Sequence, residues 1–312
     1  MAFAAIRALN SKYLQTLSSL PVGVFVGGTS GIGQGMAEAF ATHTSGNAHI
    51  VIIGRNRSAA ESIISKFPRP SSSEAKHEFI QCDVTLMKNV KKATDQLLAT
   101  VPGGKINYLA MSPGYVTVKN RDESEEGIDR KMAVHYYARW KFINDLLPAL
   151  RKAKELGEDA KVYSVVSAGH GGNININDLG MKKSYSKTQF ALAGPTYNDL
   201  MMEEFFAQNP NVTFIHACPG WVRTNLGSNA DSLVLRVASP ILYGLLWPWT
   251  VSYETSGEYM LHGMLNTAKE PRAWRIDDHG DDIGMKRYYG SVSERKALWE
   301  HTVEEMKIAE KR

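Results

Sequence analysis

Short runs of consecutive apolar residues alternate along the chain with longer segments in which apolar residues recur every three or four positions. Runs of the first kind are typical of strands buried on both faces of a parallel sheet, and segments of the second kind are typical of helices. Strands are predicted over residues 22–26, 49–53, 77–82, 106–111, 161–166 and 212–217. Helices are predicted over residues 33–42, 59–67, 86–101, 128–154 and within 184–208. This alternation predicts an α/β fold, a doubly wound parallel sheet with helices on both faces.

The segments outside this alternation are interpreted as additions to one core. In residues 1–20, apolar side chains recur at helical spacing, which predicts an amphipathic arm packed on the body (Ile6, Leu9, Tyr13 and Leu17). Residues 221–253 are rich in apolar side chains, and residues 291–312 have the pattern of a polar C-terminal helix. No low-complexity linker divides the chain, so residues 1–312 are interpreted as a single domain.

Composition and charge exclude several classes of protein. Lys and Arg number 36 against 32 Asp and Glu, and the net charge of +4 is spread along the chain, so no nucleic-acid partner is expected. A hydrophobic fraction of 43% excludes a disordered chain. The two cysteines, Cys82 and Cys218, exclude a disulfide framework and a cysteine-based zinc site, and both are interpreted as reduced core residues.

The sequence also lacks clear membrane and metal motifs. The N-terminal segment has no long apolar stretch of the signal-peptide kind, and no apolar run reaches the roughly 18 residues that a membrane span needs. A cytoplasmic protein is therefore expected, although the apolar stretch over residues 237–251 leaves peripheral membrane contact open. The acidic cluster at residues 277–282 is interpreted as a solvated loop, so no metal site is expected.

A glycine-rich segment follows the first predicted strand and reads Gly27-Gly28-Thr29-Ser30-Gly31-Ile32-Gly33. Glycines allow a tight turn and a close approach of the backbone to a phosphate, and the helix that follows offers free N–H groups and the positive end of its dipole. A glycine pattern alone is weak evidence, but here it lies between a strand and a helix in a βαβ unit. It therefore predicts a dinucleotide site in a Rossmann-type domain.

The end of the second predicted strand indicates which dinucleotide is bound. An acidic residue about 20 positions after the glycines would bind the ribose 2′-hydroxyl of NAD, but residues 47–60 contain no Asp or Glu. The strand ends instead in Gly54-Arg55-Asn56-Arg57, and a guanidinium suits a 2′-phosphate in charge and geometry. NADP is therefore the expected cofactor. The alternative is that Arg55 and Arg57 are solvated residues at a helix start.

Several motifs, in order and at the expected spacing from about residue 22 to residue 277, resemble those of the short-chain dehydrogenase/reductase family. The glycine segment is similar to the family's cofactor loop, and Cys82-Asp83-Val84 is similar to the segment whose acid contacts the adenine. Ser167 follows the fifth predicted strand, where the family has its catalytic serine, and Tyr185 lies in the region of the catalytic tyrosine. The segment over residues 219–224 resembles the one that closes over the nicotinamide. The C-terminal Leu298-Trp299-Glu300 is similar to the retinol-dehydrogenase-like branch, which handles apolar substrates.

The resemblance implies an oxidoreductase that moves a hydride between nicotinamide and a carbonyl or alcohol carbon. In the family the serine polarises the substrate oxygen, the tyrosine transfers a proton, and a lysine four residues later lowers the pKa of the tyrosine. The expected cofactor-binding residues are those of the matched motifs and of the ends of the second and fourth strands: Gly27, Thr29, Ser30, Gly31, Ile32, Gly33, Arg55, Asn56, Asp83, Val84, Ser112, Gly114, Pro219, Gly220, Val222 and Thr224.

The candidate catalytic residues depart from the family pattern. Four residues after Tyr185 the chain has Gln189 instead of lysine, and the nearest lysine is Lys187. On a helix Lys187 would lie about 200° around the axis from Tyr185, so it could assist the tyrosine only if the helix began after it. At the position of the family's catalytic asparagine stands His135, which could hold a proton-relay water or itself act as acid or base, or could simply be a helix histidine bonded to a carbonyl.

These departures leave two hypotheses. In the first, the protein is an NADP-dependent oxidoreductase with an atypical catalytic set of Ser167, Tyr185, His135 and Lys187, and carbonyl reduction is favoured because it uses the protonated tyrosine. In the second, the protein keeps the nucleotide fold but has lost the redox step, and acts as a non-redox enzyme or a nucleotide-binding regulatory protein.

The expected partner is an apolar small molecule, such as a lipid or a secondary metabolite. Residues 221–253 lie where the family has its substrate lid, and their apolar side chains suit an apolar ligand. Pro195 falls within the helix that forms the family's dimer face and is expected to kink it, so both a homodimer and a monomer are considered.

Overall fold

The computed structural model describes residues 1–224 and 250–311. Within these residues, seven parallel strands form one sheet in the order β3-β2-β1-β4-β5-β6-β9, and β7 pairs with β8 apart from it. The strands are β1 (Val22–Val26), β2 (His49–Gly54), β3 (His77–Gln81), β4 (Tyr108–Met111), β5 (Lys161–Val165), β6 (Thr213–Ala217), β7 (Val222–Arg223), β8 (Val251–Ser252) and β9 (Ala273–Ile276). The predicted doubly wound parallel sheet is confirmed.

Helices connect the strands. They are α1 (Phe3–Gln15), α2 (Gly31–His43), α3 (Arg57–Ile64), α4 (Met87–Thr100), α5 (Arg130–Met132), α6 (Ala138–Glu155), α7 (Lys187–Gln208), α8 (Tyr253–His262) and α9 (Val292–Glu310). A π-helical turn, Ala133–Tyr137, joins α5 to α6, a second one, Gly263–Thr267, follows α8, and a 3-10 turn covers Pro102–Gly104.

Both faces of the sheet are covered, which explains why its central strands are apolar throughout. Every residue of β1 is buried, and its side chains alternate between two cores. Val24 belongs to the core beneath α4, α6 and α7, whereas Phe25 belongs to the core beneath α2 and α8. Successive side chains of a strand point to opposite faces of the sheet, so all of them are buried when neither face is open to solvent.

The sequence pattern missed the last strand and α8. β9 contains Arg275, a charge that interrupts the apolar run, and α8 contains Ser256 and Gly257, which are weak helix formers. Both elements depend on contacts with distant parts of the chain. β9 pairs with β6, and α8 packs across α2.

The N-terminal arm is helical, as predicted, and lies against α8. Ile6 and Leu14 of α1 are buried, and Asn10 donates hydrogen bonds to the carboxylate and the carbonyl oxygen of Glu258. Most of the predicted lid, residues 225–249, lies outside the described residues. In the part of the chain that is described, no helix is long and apolar enough to cross a membrane.

Candidate cofactor and active site

A cavity opens at the carboxyl ends of β1 and β4, where the strand order reverses. Open α/β sheets bind ligands at this switch point. Most of the expected cofactor-binding residues line it: Gly27, Thr29, Ser30, Gly31, Ile32, Arg55, Asp83, Val84, Ser112, Gly114 and Thr224. Gly54, Cys82, Thr85, Pro113, Tyr115 and Val134 complete the lining.

The other expected cofactor residues lie outside this lining. Gly33 packs behind the cavity, and Asn56 caps α3 by accepting a hydrogen bond from the N–H of Ala59. Gly220 lines a neighbouring cavity, and Val222 pairs with Val251 in the small sheet. Pro219 precedes Gly220 at the turn after β6. A ligand held by Pro219 and Val222 therefore has to extend past the end of β6.

The glycine turn and the start of α2 have the shape of a phosphate site. No side chain caps the N-terminus of α2, so its first N–H groups are left for a ligand. Gly27 has a φ of 81°, and a Cβ there would lie 2.7 Å from the backbone nitrogen of Pro113. The hydroxyl of Ser112 is buried without a hydrogen-bond partner among the described residues. A pyrophosphate oxygen would satisfy these donors.

The two arginines after β2 have different surroundings. Arg57 lies 3.7 Å from the carboxylate of Glu61, and its guanidinium is 5.0 Å from the ring centroid of Phe79. Arg55 lines the cavity, and its side chain has no hydrogen bond or ion pair within residues 1–224 and 250–311. Arg55 is therefore free to bind an anion, whereas Arg57 is already engaged on α3.

Cys82 and Cys218, which border the two cavities, are free thiols. Burial raises the pKa of Cys82 to about 12 and also raises the pKa of Cys218. A thiol with a raised pKa is a poor nucleophile at neutral pH. Cys82 is a core residue, as expected, whereas Cys218 is only partly buried.

A second cavity of about 680 Å³ lies at the carboxyl ends of β5 and β6. Ser167, Trp221 and Ile283 line it together with charged side chains at its rim, Asp277, Asp278, Lys286 and Arg287. Trp221 is 68% exposed, so a large apolar surface is available here. Ligand atoms of Asp277, Asp278 and His279 lie within 4.8 Å of one another at this edge, where Nδ1 of His279 is 2.9 Å from Oδ1 of Asp278.

Ser167 is held at the start of the loop that leaves β5. Its hydroxyl donates a hydrogen bond of 2.6 Å to the carbonyl oxygen of Val166. Its backbone N–H donates to Nε2 of His216, 3.2 Å away. The hydroxyl is half-buried at the wall of the second cavity, where it can exchange its bond to Val166 for one to a substrate oxygen.

Tyr185 lies just before α7, so the helical spacing to Gln189 does not apply to it. Ser186 caps α7, and Lys187 is its first residue. The Tyr185 hydroxyl is buried without a hydrogen-bond partner in the described part of the chain, and burial, reinforced by Asp129, raises the pKa of this tyrosine to about 12. Tyr185 is not among the residues that line either cavity.

The lysine that packs over the ring of Tyr185 is not the one that the sequence suggested. Lys187 is exposed, and no hydrogen bond links it to Tyr185 in the described residues. The ammonium of Lys131 lies 4.9 Å from the centroid of the Tyr185 ring. Lys131 also donates a hydrogen bond of 2.6 Å to the carbonyl oxygen of Asn120, so it is held in place. Lys131 lies more than 50 residues before Tyr185 in the chain, so no local sequence pattern could indicate that the two side chains are in contact.

His135 lies in the π-helical turn Ala133–Tyr137. Its neighbour Val134 lines the first cavity, at the carboxyl ends of β1 and β4, which is called the nucleotide cavity below. Nε2 of His135 is 3.2 Å from the carbonyl oxygen of Tyr115, and its ring packs edge-on against Phe190. Burial, with a smaller contribution from Arg139, lowers the pKa of His135 to about 4. The imidazole is therefore neutral at physiological pH, which suits a hydrogen-bonding role.

The low pKa of His135 predicts a stability change in mild acid. Between pH 6.5 and about 4 the unfolded chain binds a proton here that the folded chain does not, so the free energy of unfolding falls as the pH is lowered through this window. The loss attributable to His135 is up to about 3 kcal/mol. Urea unfolding of the wild type and of His135→Asn at pH 7 and pH 4.5 measures it. An identical pH dependence in both proteins would contradict the assignment.

Arg139 is a structural residue of the site that the sequence did not reveal. It is buried, and its guanidinium donates hydrogen bonds to the carbonyl oxygens of Met111 and Pro113 and to the hydroxyl of Ser164. Burial lowers its pKa to about 9, so it keeps its charge at neutral pH. Arg139 thereby fixes the loop after β4, which forms one wall of the nucleotide cavity.

Comparison with known proteins identifies the family and the fold that this chain resembles. The model of the short chain dehydrogenase family matches residues 22–233. An oxidoreductase of Emericella nidulans, AN1596, is 34% identical over 85% of this chain and 78% of its own, and the polyprenol dehydrogenase of Homo sapiens is 26% identical over 74% and 71%. The structure of an NADPH-bound carbonyl reductase from chicken fatty liver superposes with a TM-score of 0.58 at 16% identity, covering 86% of this chain and all of the other.

Proposed function

Because the chain belongs to the short-chain dehydrogenase family and is an oxidoreductase of that type, we propose that it is an NADP-dependent reductase that converts a carbonyl group into an alcohol on an apolar substrate. The observation that carries the proposal is the position of Arg55. Its guanidinium borders the nucleotide cavity without a partner in the described residues, at the strand end where an NAD-binding protein would have a carboxylate.

The residues around the cavity suit the rest of the dinucleotide. The uncapped start of α2 and the unpartnered hydroxyl of Ser112 would hold the pyrophosphate. Asp83 and Val84 line the end of the cavity where the adenine would lie. NADPH, when bound, supplies the hydride for the carbonyl carbon.

Two residues are assigned to the substrate oxygen. The hydroxyl of Ser167 can donate a hydrogen bond to the carbonyl oxygen and so polarise it. Tyr185 is protonated at neutral pH, as any tyrosine with a pKa of about 10 or above is, and is assigned as the proton donor to the oxygen as the alcohol forms. This role requires its buried hydroxyl to become accessible to the substrate. A protonated tyrosine favours reduction over alcohol oxidation, which requires the tyrosinate.

The second cavity supports an apolar substrate. Its floor is the loop after β5, and Trp221 and Ile283 contribute apolar surface. Relatives named polyprenol dehydrogenase, from Homo sapiens and Mus musculus, are 26% and 27% identical to this chain. By analogy with those relatives, a long-chain or polycyclic carbonyl compound is a better candidate than a sugar.

One observation favours a second candidate, a nucleotide-binding protein without redox activity. Tyr185 lines neither cavity, and Lys187 does not contact it in the described residues. The two candidates differ in whether bound NADPH is consumed, and substitution of Tyr185 separates them.

Substitution of Arg55 tests the cofactor assignment. In Arg55→Ala, the dissociation constant for NADPH should rise about 10- to 100-fold, because a charge-assisted contact to the 2′-phosphate is lost. Affinity for NADH should stay within about twofold of the wild type, since NADH has no phosphate there. Fluorescence titration of both dinucleotides measures the change.

Arg57→Ala is the matched control, because its guanidinium is engaged by Glu61 and Phe79. It should leave NADPH affinity within about threefold, since an exposed ion pair contributes little. Equal losses in the two variants, or no loss in Arg55→Ala, would refute the role of Arg55.

A further inference from the structure

The backbone at Ser167 is held by a side chain where the sheet ladder ends. The N–H of Val166 donates to the carbonyl oxygen of Ala217 at 2.9 Å, which continues the β5–β6 pairing. The next N–H, that of Ser167, donates instead to Nε2 of His216 at 3.2 Å. His216 therefore fixes the residue at which the chain turns out of the sheet and towards the second cavity.

The hydrogen bonds of His216 define which ring nitrogen carries its proton. Nδ1 lies 2.6 Å from Oδ1 of Asp199, and a carboxylate can only accept, so Nδ1 carries the proton. Nε2 then presents a lone pair, which is what the N–H of Ser167 requires. His216 is fully buried and Asp199 is 4% exposed, so both bonds lie away from bulk solvent.

Arg275 compensates the buried charge of Asp199. Its Nε lies 3.1 Å from the same carboxylate oxygen, and it occupies the position on β9 directly opposite His216 on β6. Its Nη1 donates to the carbonyl oxygens of Gly284 and Lys286, and its Nη2 donates to that of Arg287, so the guanidinium is anchored. The ion pair holds the carboxylate of Asp199 facing His216.

We infer that Asp199 and His216 are positioning residues for Ser167. Asp199 selects the Nδ1–H tautomer of His216, and that tautomer holds the backbone of Ser167 so that its hydroxyl faces the second cavity. The inference rests on the proposed function in one respect, which is that the hydroxyl of Ser167 binds the substrate oxygen.

In the other tautomer, the ring of His216 would repel the backbone N–H of Ser167 instead of accepting its hydrogen bond. With the proton on Nε2, two N–H groups would face each other across the 3.2 Å that now separates Ser167 N from His216 Nε2. The loop after Ser167 would then move, and its hydroxyl would leave the cavity wall. A shift of about 1 Å in a catalytic group can lower a rate 100-fold.

The tautomer can be observed directly, without any substrate. We propose ¹⁵N NMR of the full chain labelled on histidine, in the presence of NADPH, with the His216 signals assigned by their loss in His216→Gln. The wild type should show a protonated Nδ1 and an unprotonated Nε2. Asp199→Asn should shift the population towards a protonated Nε2. In a second sample, labelled uniformly with ¹⁵N, the same substitution should speed hydrogen exchange at the Ser167 amide at least about tenfold. A wild-type His216 protonated at Nε2, or an unchanged tautomer in Asp199→Asn, would overturn the inference.

Two substitutions of His216 form a matched pair. The amide oxygen of glutamine can occupy the place of Nε2 and accept from Ser167, whereas asparagine keeps only the donor towards Asp199. With NADPH and phenanthrenequinone as the probe, His216→Gln should keep kcat within about threefold. His216→Asn should lose at least about 10-fold in kcat, with its KM and NADPH affinity unchanged. Parallel losses of kcat and of Tm in the two variants would indicate a merely structural role and overturn the inference.

Ser167→Ala separates this inference from the proposed function. If Ser167→Ala retains the full kcat, the assigned role of the serine is wrong, and the NMR result alone decides whether Asp199 and His216 position its backbone. If Ser167→Ala loses activity while His216→Asn keeps it, the proposed function stands and the positioning inference is refuted.

Discussion

Replacing Gly33 by alanine is expected to weaken NADPH binding at least about 100-fold, because the start of α2 could no longer approach the loop after β4. A Cβ at Gly33 would lie 2.3 Å from Oγ of Ser112 and 2.8 Å from the carbonyl oxygen of Gly27. The serine hydroxyl can rotate away, but the Gly27 carbonyl is backbone at the turn itself. Either the turn or α2 must therefore move, and the uncapped N–H groups would no longer converge on the pyrophosphate.

Gly194→Ala is the matched control for this substitution. A Cβ at Gly194 meets nothing within 4 Å, and the residue lies on α7. Alanine is the better helix former by about 1 kcal/mol in a helix interior, and Pro195 offsets part of that gain at Gly194. Helix propensity therefore cannot explain a loss of NADPH affinity seen only at Gly33. Calorimetric titration with NADPH should show the loss in Gly33→Ala alone. Wild-type affinity in Gly33→Ala would show that the glycine turn does not hold the dinucleotide.

Replacing Tyr185 by phenylalanine is expected to lower kcat for carbonyl reduction by about 100-fold or more, since general acid catalysis contributes roughly 10²- to 10⁴-fold. The same change should leave the protein as stable as before or slightly more stable. The hydroxyl is buried without a partner in the described residues, and removing an unsatisfied polar group relieves its desolvation cost. Loss of activity without loss of stability is a combination that a purely structural tyrosine would not produce.

Tyr115→Phe is the informative companion variant. Tyr115 lines the nucleotide cavity, and its carbonyl oxygen contacts His135. NADPH consumption with a panel of apolar carbonyl compounds, together with thermal unfolding, compares the two variants. If activity survives in Tyr185→Phe and is lost in Tyr115→Phe, the proton donor is Tyr115. If the wild type binds NADPH and reduces no carbonyl in the panel, the redox-inactive alternative is favoured.

The main elements of the fold could be predicted from the sequence because their signals are local. The apolar runs of β1 and β2 and the glycines between them are contiguous in the chain, and both strands lie within one residue of their predicted bounds. β9 could not be predicted in this way, because Arg275 in its middle is compensated by Asp199 on α7, some 76 residues earlier. A charge within an apolar run argues against a buried strand until its partner is known.

In the candidate site, too, the features with a local sequence signal could be predicted and those that depend on distant residues could not. The phosphate turn and Arg55 follow from residue type and spacing, and they line one cavity. The surroundings of Tyr185 and Ser167 do not follow from spacing, because they come from residues far along the chain, namely Lys131, His216 and Asp199. Arg139 reads as an ordinary charged helix residue in the sequence, and only the fold shows that it is buried.

The most direct test of the proposed NADP-dependent function compares the affinities of the protein for NADPH and for NADH. Titration of the wild-type protein with NADPH and with NADH under the same conditions needs no knowledge of the substrate. If Arg55 receives a 2′-phosphate, NADPH should bind at least about 10-fold more tightly than NADH, because one charge-assisted contact contributes about 1.5–3 kcal/mol. Equal affinities, or tighter binding of NADH, would contradict it.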